Sequence, residues 1–482
     1  MMGIERLRAA VFGASAAQTP TARTPAAQAQ PQSQPEADRY ITRKLRPLRW
    51  APPPARSAPT FAWRKVVAEA AAMWAATRVT MAAFTYFAVL IRIGGHEHGS
   101  VSVPLHNLLT AWNQWDGYWY TTIAARGYWT QQSTAFFPLY PLLIKAGTLV
   151  IGPHWLLSAM AVSQLAALGA FVGVGLLAAH EMGSAEGARR AVWAFAAYPL
   201  ALFLTAPYTE GLFVAWAAFC LFFARRGAWR WAALCGFLAG LTRPTGIVLV
   251  PALAWEFGRQ HGWWQSIAAH PVWGHLRRGE ARPALSSLDP RPAAARLREV
   301  AARFNPSVLG ALVLVLGAVP LAIASYMTYL YARFHHPLLF LHAQAMYWYR
   351  QNMPPWQSIP MAVIQYLRLP DLSYFQARDL FDLGILAVFA IITLLALRRQ
   401  PFALTLYTLG ILYLAIQGPI LRRPEPDMFV SAGRFLLAAI PVYLILARWT
   451  RNRPGLEMLL ISGGFMLQGL LTYYFLQGGW LI

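Results

Sequence analysis

The chain has 482 residues, 57% of them hydrophobic, 14% aromatic and only 12% charged, with a mean hydropathy of +0.39. A soluble chain carries about 25% charged residues, so a soluble enzyme, a disordered regulator and a coiled coil are excluded, and a stack of membrane helices remains. The formal charge of +22, from 41 Lys+Arg against 19 Asp+Glu, is read as the basic excess that membrane proteins collect on their cytoplasmic side, with no nucleic-acid partner expected.

Residues 1–65 are rich in Ala, Pro, Gln, Thr and Arg, with eleven basic residues against three acids. They show no apolar period and so have no core to pack. They are read as a disordered basic cytoplasmic tail; an organellar transit peptide is the alternative. The first span covers about 66–93, enough for a hydrocarbon core that takes roughly 20 residues. Arg78 lies inside it. A mid-membrane charge costs about 2.5–3.5 kcal/mol, so Arg78 is expected to face the bundle interior or water, in a structural ion pair or a functional role. Residues 94–154 hold only Arg126 and Lys145 as cations and are crowded with Trp and Tyr. The contrast with the tail places this first loop outside, as short helices lying on the outer leaflet.

A second span covers about 155–179, and Arg189-Arg190 then mark the inside. The apolar stretch 191–223 is broken at Pro199, Pro207 and Glu210, which suggests two short spans with Tyr208-Thr209-Glu210 at the outer turn. The stretch 231–257 is broken at Thr242-Arg243-Pro244-Thr245-Gly246. One unbroken span there would put the arginine-rich loop 258–306 outside, so a pair of broken helices returning to the cytoplasm is expected. Spans near 307–332, 380–397, 402–419, 433–447 and 456–476 follow, with 333–379 as a second outer loop. The total is about eleven spans within a membrane domain of 66–482. Cys220 and Cys235 read as small buried hydrophobes.

This topology gathers Asp116, Glu210, Arg243, His335, His336, Arg350 and Arg434 at the outer face. Asp116 is the only acid between His98 and His180. A carboxylate among aromatics suits general-base work; capping an interfacial helix is the structural alternative. Arg243 sits at a helix break and Arg434 at the start of a span. The guanidinium fork binds phosphate through several donors, but either arginine can instead pair with Glu210 or Asp427 to hold the bundle. His96-Glu97-His98 has the look of a metal pair but lies in a Gly-flanked turn. His335-His336 offers contacts to a phosphate or sugar.

Trp115-Asp116-Gly117 through Ile123-Ala124 to Gly127-Tyr128 resembles the first-loop motif of the PIG-V (GPI mannosyltransferase 2) family and its bacterial relatives. Phe136-Phe137-Pro138-Leu139-Tyr140-Pro141 is similar to the family's next block. Pro207-Tyr208-Thr209-Glu210 resembles its Tyr-Ser-Glu block, with Thr for Ser, and Leu241-Thr242-Arg243-Pro244-Thr245-Gly246 its Thr-Arg-x-x-Gly element. Phe340 to Arg350, with Gln344 and Trp348, is similar to its late outer loop. Ser431 to Pro441 resembles its closing Ser-x-x-Arg-Tyr block, with Phe435 for Tyr. The basic tail and the loop 258–306 depart from the pattern.

The resemblance implies a C-type glycosyltransferase (GT-C) fold in a bacterial plasma membrane, working on the outward face. It implies transfer of mannose, or another hexose, from a polyprenyl-phosphate donor to a glycan, glycolipid or protein acceptor. Asp116 corresponds to the family's acidic residue. On that basis Asp116 takes the acceptor proton, and Arg243, Arg434 and Arg350 hold the donor phosphate. Trp115, Tyr118, Glu210, His336, Gln344 and Trp348 are expected to contact substrate. The donor is already activated, so no metal is required, although a divalent ion is compatible with the fold. The rival class is a lipid or sugar transporter or flippase, which would need a midplane site reachable from both faces. A structural subunit of a glycosylation complex is a third reading.

Overall fold

In chain order, α1 (Trp63–Gly94) is followed by three short helices, α2 (Leu105–Thr110), α3 (Asp116–Arg126) and α4 (Leu139–Ile151). Then come α5 (Trp155–Met182), α6 (Ala185–Ala196), α7 (Glu210–Arg225), α8 (Trp229–Thr242) and α9 (Leu249–Gln260). The second half holds α10 (Pro306–Phe334), α11 (Leu339–Met346), α12 (Pro355–Arg368), α13 (Tyr374–Ala396), α14 (Phe402–Ile416), α15 (Ala432–Leu436), α16 (Ile440–Thr450) and α17 (Pro454–Leu476). This computed structural model describes residues 63–94, 103–264, 306–368, 374–421 and 426–479. The basic tail, His96-Glu97-His98 and most of the loop 258–306 lie outside the described residues.

The described protein is helical, with isolated bridges in place of strands. α1, α5, α10, α13 and α17 are long and apolar enough to cross a membrane. Side-chain contacts show how the shorter helices run beside them. At one end, Arg225 closes α7 and donates to Glu181 of α5 at 2.6 Å and to Glu256 of α9 at 2.9 Å. Arg226 lies over Trp63 at the start of α1, and Arg190 of α6 meets Glu457 of α17 at 3.2 Å. At the other end, Glu210 opens α7 and meets Arg243, just beyond α8, at 2.6 Å. So α7 runs from Arg243 to Arg225 and α8 runs back. Then α9 returns, since Gln260 at its last residue donates to the Ala224 carbonyl at 2.8 Å. The chain therefore reverses at Arg243. Beside the five long helices, the described residues hold shorter apolar helices, among them α4, α14 and α16.

Local sequence explains the breaks. Arg243 precedes Pro244, and a residue before proline is pushed out of the helical region. It is extended, at φ −153° and ψ 143°, and a 3-10 turn Pro244–Val248 follows. The other break is a 3-10 turn Ala201–Leu204. Here the ion pair considered for Arg78 does not form. Its Nη1 donates instead to Thr205 Oγ1 at 2.7 Å and to the Leu204 carbonyl at 3.1 Å. Among the described residues no carboxylate lies within ion-pair range. The guanidinium satisfies a carbonyl that the broken helix leaves free, which an apolar surrounding requires.

Small residues let the passes approach closely, as membrane helix contacts demand. A Cβ on Gly173 of α5 would stand 2.9 Å from the Ala218 Cβ of α7. One on Gly240 of α8 would stand 2.9 Å from the Ala322 Cβ of α10.

Candidate active site

The site forms at the end of the bundle opposite Arg225, where four charged side chains from four elements make one continuous chain. Arg434 of α15 donates from Nη1 to Asp116 Oδ2 of α3 at 2.7 Å. Its Nε lies 3.0 Å from Glu210 Oε1 of α7. Arg243 reaches the same oxygen through Nη1 at 2.6 Å. Glu210 and Arg434 are buried, while Asp116 keeps 19% of its side chain exposed and is the acid that opens toward solvent. Glu210 Oε2 is buried without a hydrogen-bond partner. The residues are 318 apart at the widest pair, so only folding joins them.

Arg350 completes the cluster differently. Its Nη2 donates to Ser431 Oγ at 3.2 Å. Among the described residues no carboxylate lies within ion-pair range of it. Burial, with Arg434 nearby, pushes its guanidinium down to about 10. The Phe435 ring stands between two of the cations, 4.9 Å from the Arg243 guanidinium carbon and 5.8 Å from that of Arg350. Arg434 lies over Tyr208 at 5.4 Å and Phe203 at 5.6 Å. Such cation–ring contacts hold a guanidinium without consuming its donors. A narrow cleft opens on these groups, lined by Glu210, Phe213, Arg243, Thr245, Arg434 and Phe435. A separate, larger cavity of about 380 Å³ is lined by Ile123, Tyr128, Pro141, Lys145, Leu241 and Tyr329. Leu241 is two residues from Arg243.

Two residues flanking the charged chain have left-handed backbones that β-carbon-bearing residues avoid. Trp115 (φ 50°) precedes Asp116, and Ser431 (φ 63°) opens the turn that carries Arg434. Strain of this kind concentrates where a site must be held in one geometry.

The other sequence candidates divide. Trp115 and Tyr118 are exposed beside Asp116, and Trp115 Nε1 donates to the Gly479 carbonyl at 3.4 Å. Trp348 belongs to an aromatic cluster, edge-on to Trp119 at 5.6 Å and to Phe136 at 5.5 Å. Gln344 accepts the Arg350 amide through its carbonyl at 3.0 Å, a backbone role. His336 lies in the turn after α10, its ring 5.8 Å from His342; among the described residues it makes no ion pair or hydrogen bond to the cluster. Asp427 is not a partner of Arg243 or Arg434; it pairs with Arg378. Reading the sequence missed Phe203, Asp379 and Asp382; it named Ser431 and Tyr208 within motifs but gave neither a role in holding an arginine.

Residues 95–267 match the PIG-V mannosyltransferase family. The resemblance carried by the motifs is thus found independently, over the stretch that holds Asp116, Glu210 and Arg243. Arg350 and Arg434 fall beyond the matched stretch and join those three residues through the fold alone. The mannosyltransferase match supports a membrane glycosyltransferase. No curated protein matches the chain.

Proposed function

We propose that the protein is an inverting glycosyltransferase. In this reading it moves a mannosyl or other hexosyl unit from a polyprenyl-phosphate donor to an acceptor hydroxyl on the extracytoplasmic side. The observation that carries this is the charge balance. Among the described residues, Arg243, Arg350 and Arg434 are balanced by Asp116 and Glu210. The surplus cation is a place for an anion, and the mostly apolar cavity lined by residues of α3, α4, α8 and α10 suits a lipid chain.

The step follows from the groups present. The acceptor oxygen attacks the anomeric carbon, and its proton passes to Asp116. The bond from that carbon to the phosphate oxygen breaks, and the electron pair leaves with the phosphate. Arg350, Arg434 and Arg243 stabilise the charge that develops there, an electrostatic contribution of the kind that preorganised donors make. A single displacement inverts configuration, so a β-linked donor gives an α product. Glu210 holds Arg243 and Arg434 apart at fixed positions. Trp115 and Tyr118 are placed to meet the sugar or the acceptor. The acceptor is a glycan, glycolipid or protein hydroxyl. The donor is already activated, so the mechanism requires no metal.

The basic end, with Arg225, Arg226, Arg190 and Arg259, is assigned to the cytoplasm by the positive-inside tendency. The site then opens outward. A transporter fits less well, because Arg225, Glu181 and Glu256 close that basic end in a buried ion-pair network. Radiolabelled polyprenyl-phosphate-mannose, added to proteoliposomes with and without an acceptor extract, tests the reading. Wild-type protein should give labelled product, and Asp116→Asn should fold yet lose about 10²–10⁴ in rate. Near-wild-type transfer by Asp116→Asn removes the base assignment, and donor translocation without product supports the transporter.

A further inference from the structure

Arg434 stands on α15, a helix of five residues. So short a helix does not hold itself, yet Arg434 must meet Asp116 and Glu210 at hydrogen-bond distance. The contacts that fix it come from outside. On α13, Asp382 lies one turn on from both Arg378 (i+4) and Asp379 (i+3). Arg378 pairs with Asp427. Asp379 Oδ2 accepts the Met428 amide at 2.9 Å, and Asp382 Oδ1 accepts the Gly433 amide at 3.1 Å. Tyr198 donates its hydroxyl to the Gly433 carbonyl at 2.6 Å. Both polar groups of Gly433 are therefore taken by buried side chains, one from α13 and one from the break after α6. A larger residue would press on the clamp itself, since a Cβ on Gly433 would stand 2.5 Å from both Asp382 Oδ1 and Leu200 Cδ1 and those side chains would have to shift. Asp382 is only 3% exposed on a helix built to cross a membrane. A carboxyl is expensive there and calls for a role.

We propose that Asp382 and Tyr198 clamp the Gly433 peptide and so set the position of Arg434 relative to Asp116 and Glu210. They are positioning residues for the arginine that stabilises the leaving phosphate, and in this respect the inference rests on the transferase reading. It goes beyond it in assigning a function to groups that touch neither donor nor acceptor. The clamp also accounts for Ser431. With Gly433 fixed, the left-handed turn at Ser431 holds its hydroxyl against Arg350, so one peptide positions two of the three cations.

The test has two arms on full-length protein in nanodiscs. Hydrogen exchange read by mass spectrometry over residues 426–438 judges the clamp without reference to activity. Asp382→Leu removes the acceptor and should speed exchange in this segment at least about tenfold, whereas Asp382→Asn keeps an acceptor oxygen and should restore most of the protection. Unchanged exchange in Asp382→Leu overturns the clamp. The second arm is donor turnover. A misplacement near 1 Å can cost about 10²-fold, so Asp382→Leu should lower kcat by about that factor with donor KM moved far less. Asp382→Asn should recover at least about tenfold of the loss. In an Arg434→Ala background, Asp382→Leu should add clearly less than the loss it causes alone, the remainder acting through Ser431 and Arg350. A full additional loss in that background would mean a general structural defect and overturn the positioning role. Absence of turnover in wild-type protein would instead overturn the transferase reading, with the exchange arm still deciding the clamp.

Discussion

Replacing Arg350 with alanine should separate stability from activity. Burial pushes its guanidinium from its ordinary value down to about 10. At 1.36 kcal/mol per pH unit, keeping the charge there costs about 3 kcal/mol. The charge-assisted hydrogen bond to Ser431 Oγ at 3.2 Å returns about 1.5–3 kcal/mol, and the Phe435 face about 0.5–1 kcal/mol. The terms nearly cancel, so Arg350→Ala should change stability by no more than about 1 kcal/mol. Turnover should nevertheless fall about 10²–10³-fold, the usual consequence of removing one preorganised donor from a developing anion. The pH dependence has a definite sign. The folded-state pKa lies below the unfolded one, so the cost of the buried cation is complete at neutral pH. It is relieved only as pH rises through about 10, where the folded protein sheds the proton first. The same loss of charge should lower kcat/KM for the donor above about pH 10, and the variant should lack that alkaline limb. Thermal unfolding in detergent and a pH series of donor turnover measure both quantities. A large fall in melting temperature, with activity tracking the folded fraction, would show that Arg350 serves as a structural strut and refute the charge-balance argument.

Glu210→Gln should behave in the opposite way. It leaves Arg243 and Arg434 facing each other with their shared partner gone, and breaking a buried pair costs about 3–5 kcal/mol. Inorganic phosphate should restore its melting temperature by more than it raises that of wild type, and equal responses would refute a phosphate seat. Gly240→Ala should destabilise by about 1–3 kcal/mol through overpacking, because its Cβ meets the Ala322 Cβ at 2.9 Å and the Val319 carbonyl at 3.1 Å; a neutral unfolding curve would show that α8 and α10 can separate without cost. EDTA treatment should leave donor turnover unchanged, and a loss restored by a divalent ion would show that the arginines do not suffice.

Much of the fold was legible because its signals are local. Proline and arginine at 242–246 mark a break, and the break is where the chain reverses. The scarcity of acids between His98 and His180 isolates Asp116, and Asp116 is the more exposed carboxylate of the cluster. The arginines at 225, 226 and 190 mark one end of the bundle because a run of apolar residues cannot absorb them elsewhere. What local signals do not carry is pairing. Arg78 reads as half of an ion pair, since a cation in an apolar span needs a partner. The partners are the Leu204 carbonyl and the Thr205 hydroxyl, and no pattern of charged residues announces them. His336 reads as a ligand because it sits in an outer loop next to Pro337, but a loop position does not say which way the turn leads.

The acids of α13 were illegible for a related reason, and they explain how a surface cluster can be precise. Asp379 and Asp382 stand in an apolar helix about fifty residues before the backbone they hold, and in sequence they resemble the acidic fringe of any span. Their value appears only when a five-residue helix needs an external anchor. The cations that face the cleft are thus supported at several levels. Arg243 is placed by a proline, Arg350 by the Ser431 hydroxyl, and Arg434 by the peptide that Asp382 and Tyr198 grip. These supports come from passes separated along the chain, so a shift in any one of them moves a guanidinium relative to Asp116. A site assembled in this way keeps its charge geometry only while the bundle around it is packed. That is why substitutions at Gly433 and Asp382, which bear no chemistry of their own, should reach the reaction as surely as substitutions at the arginines.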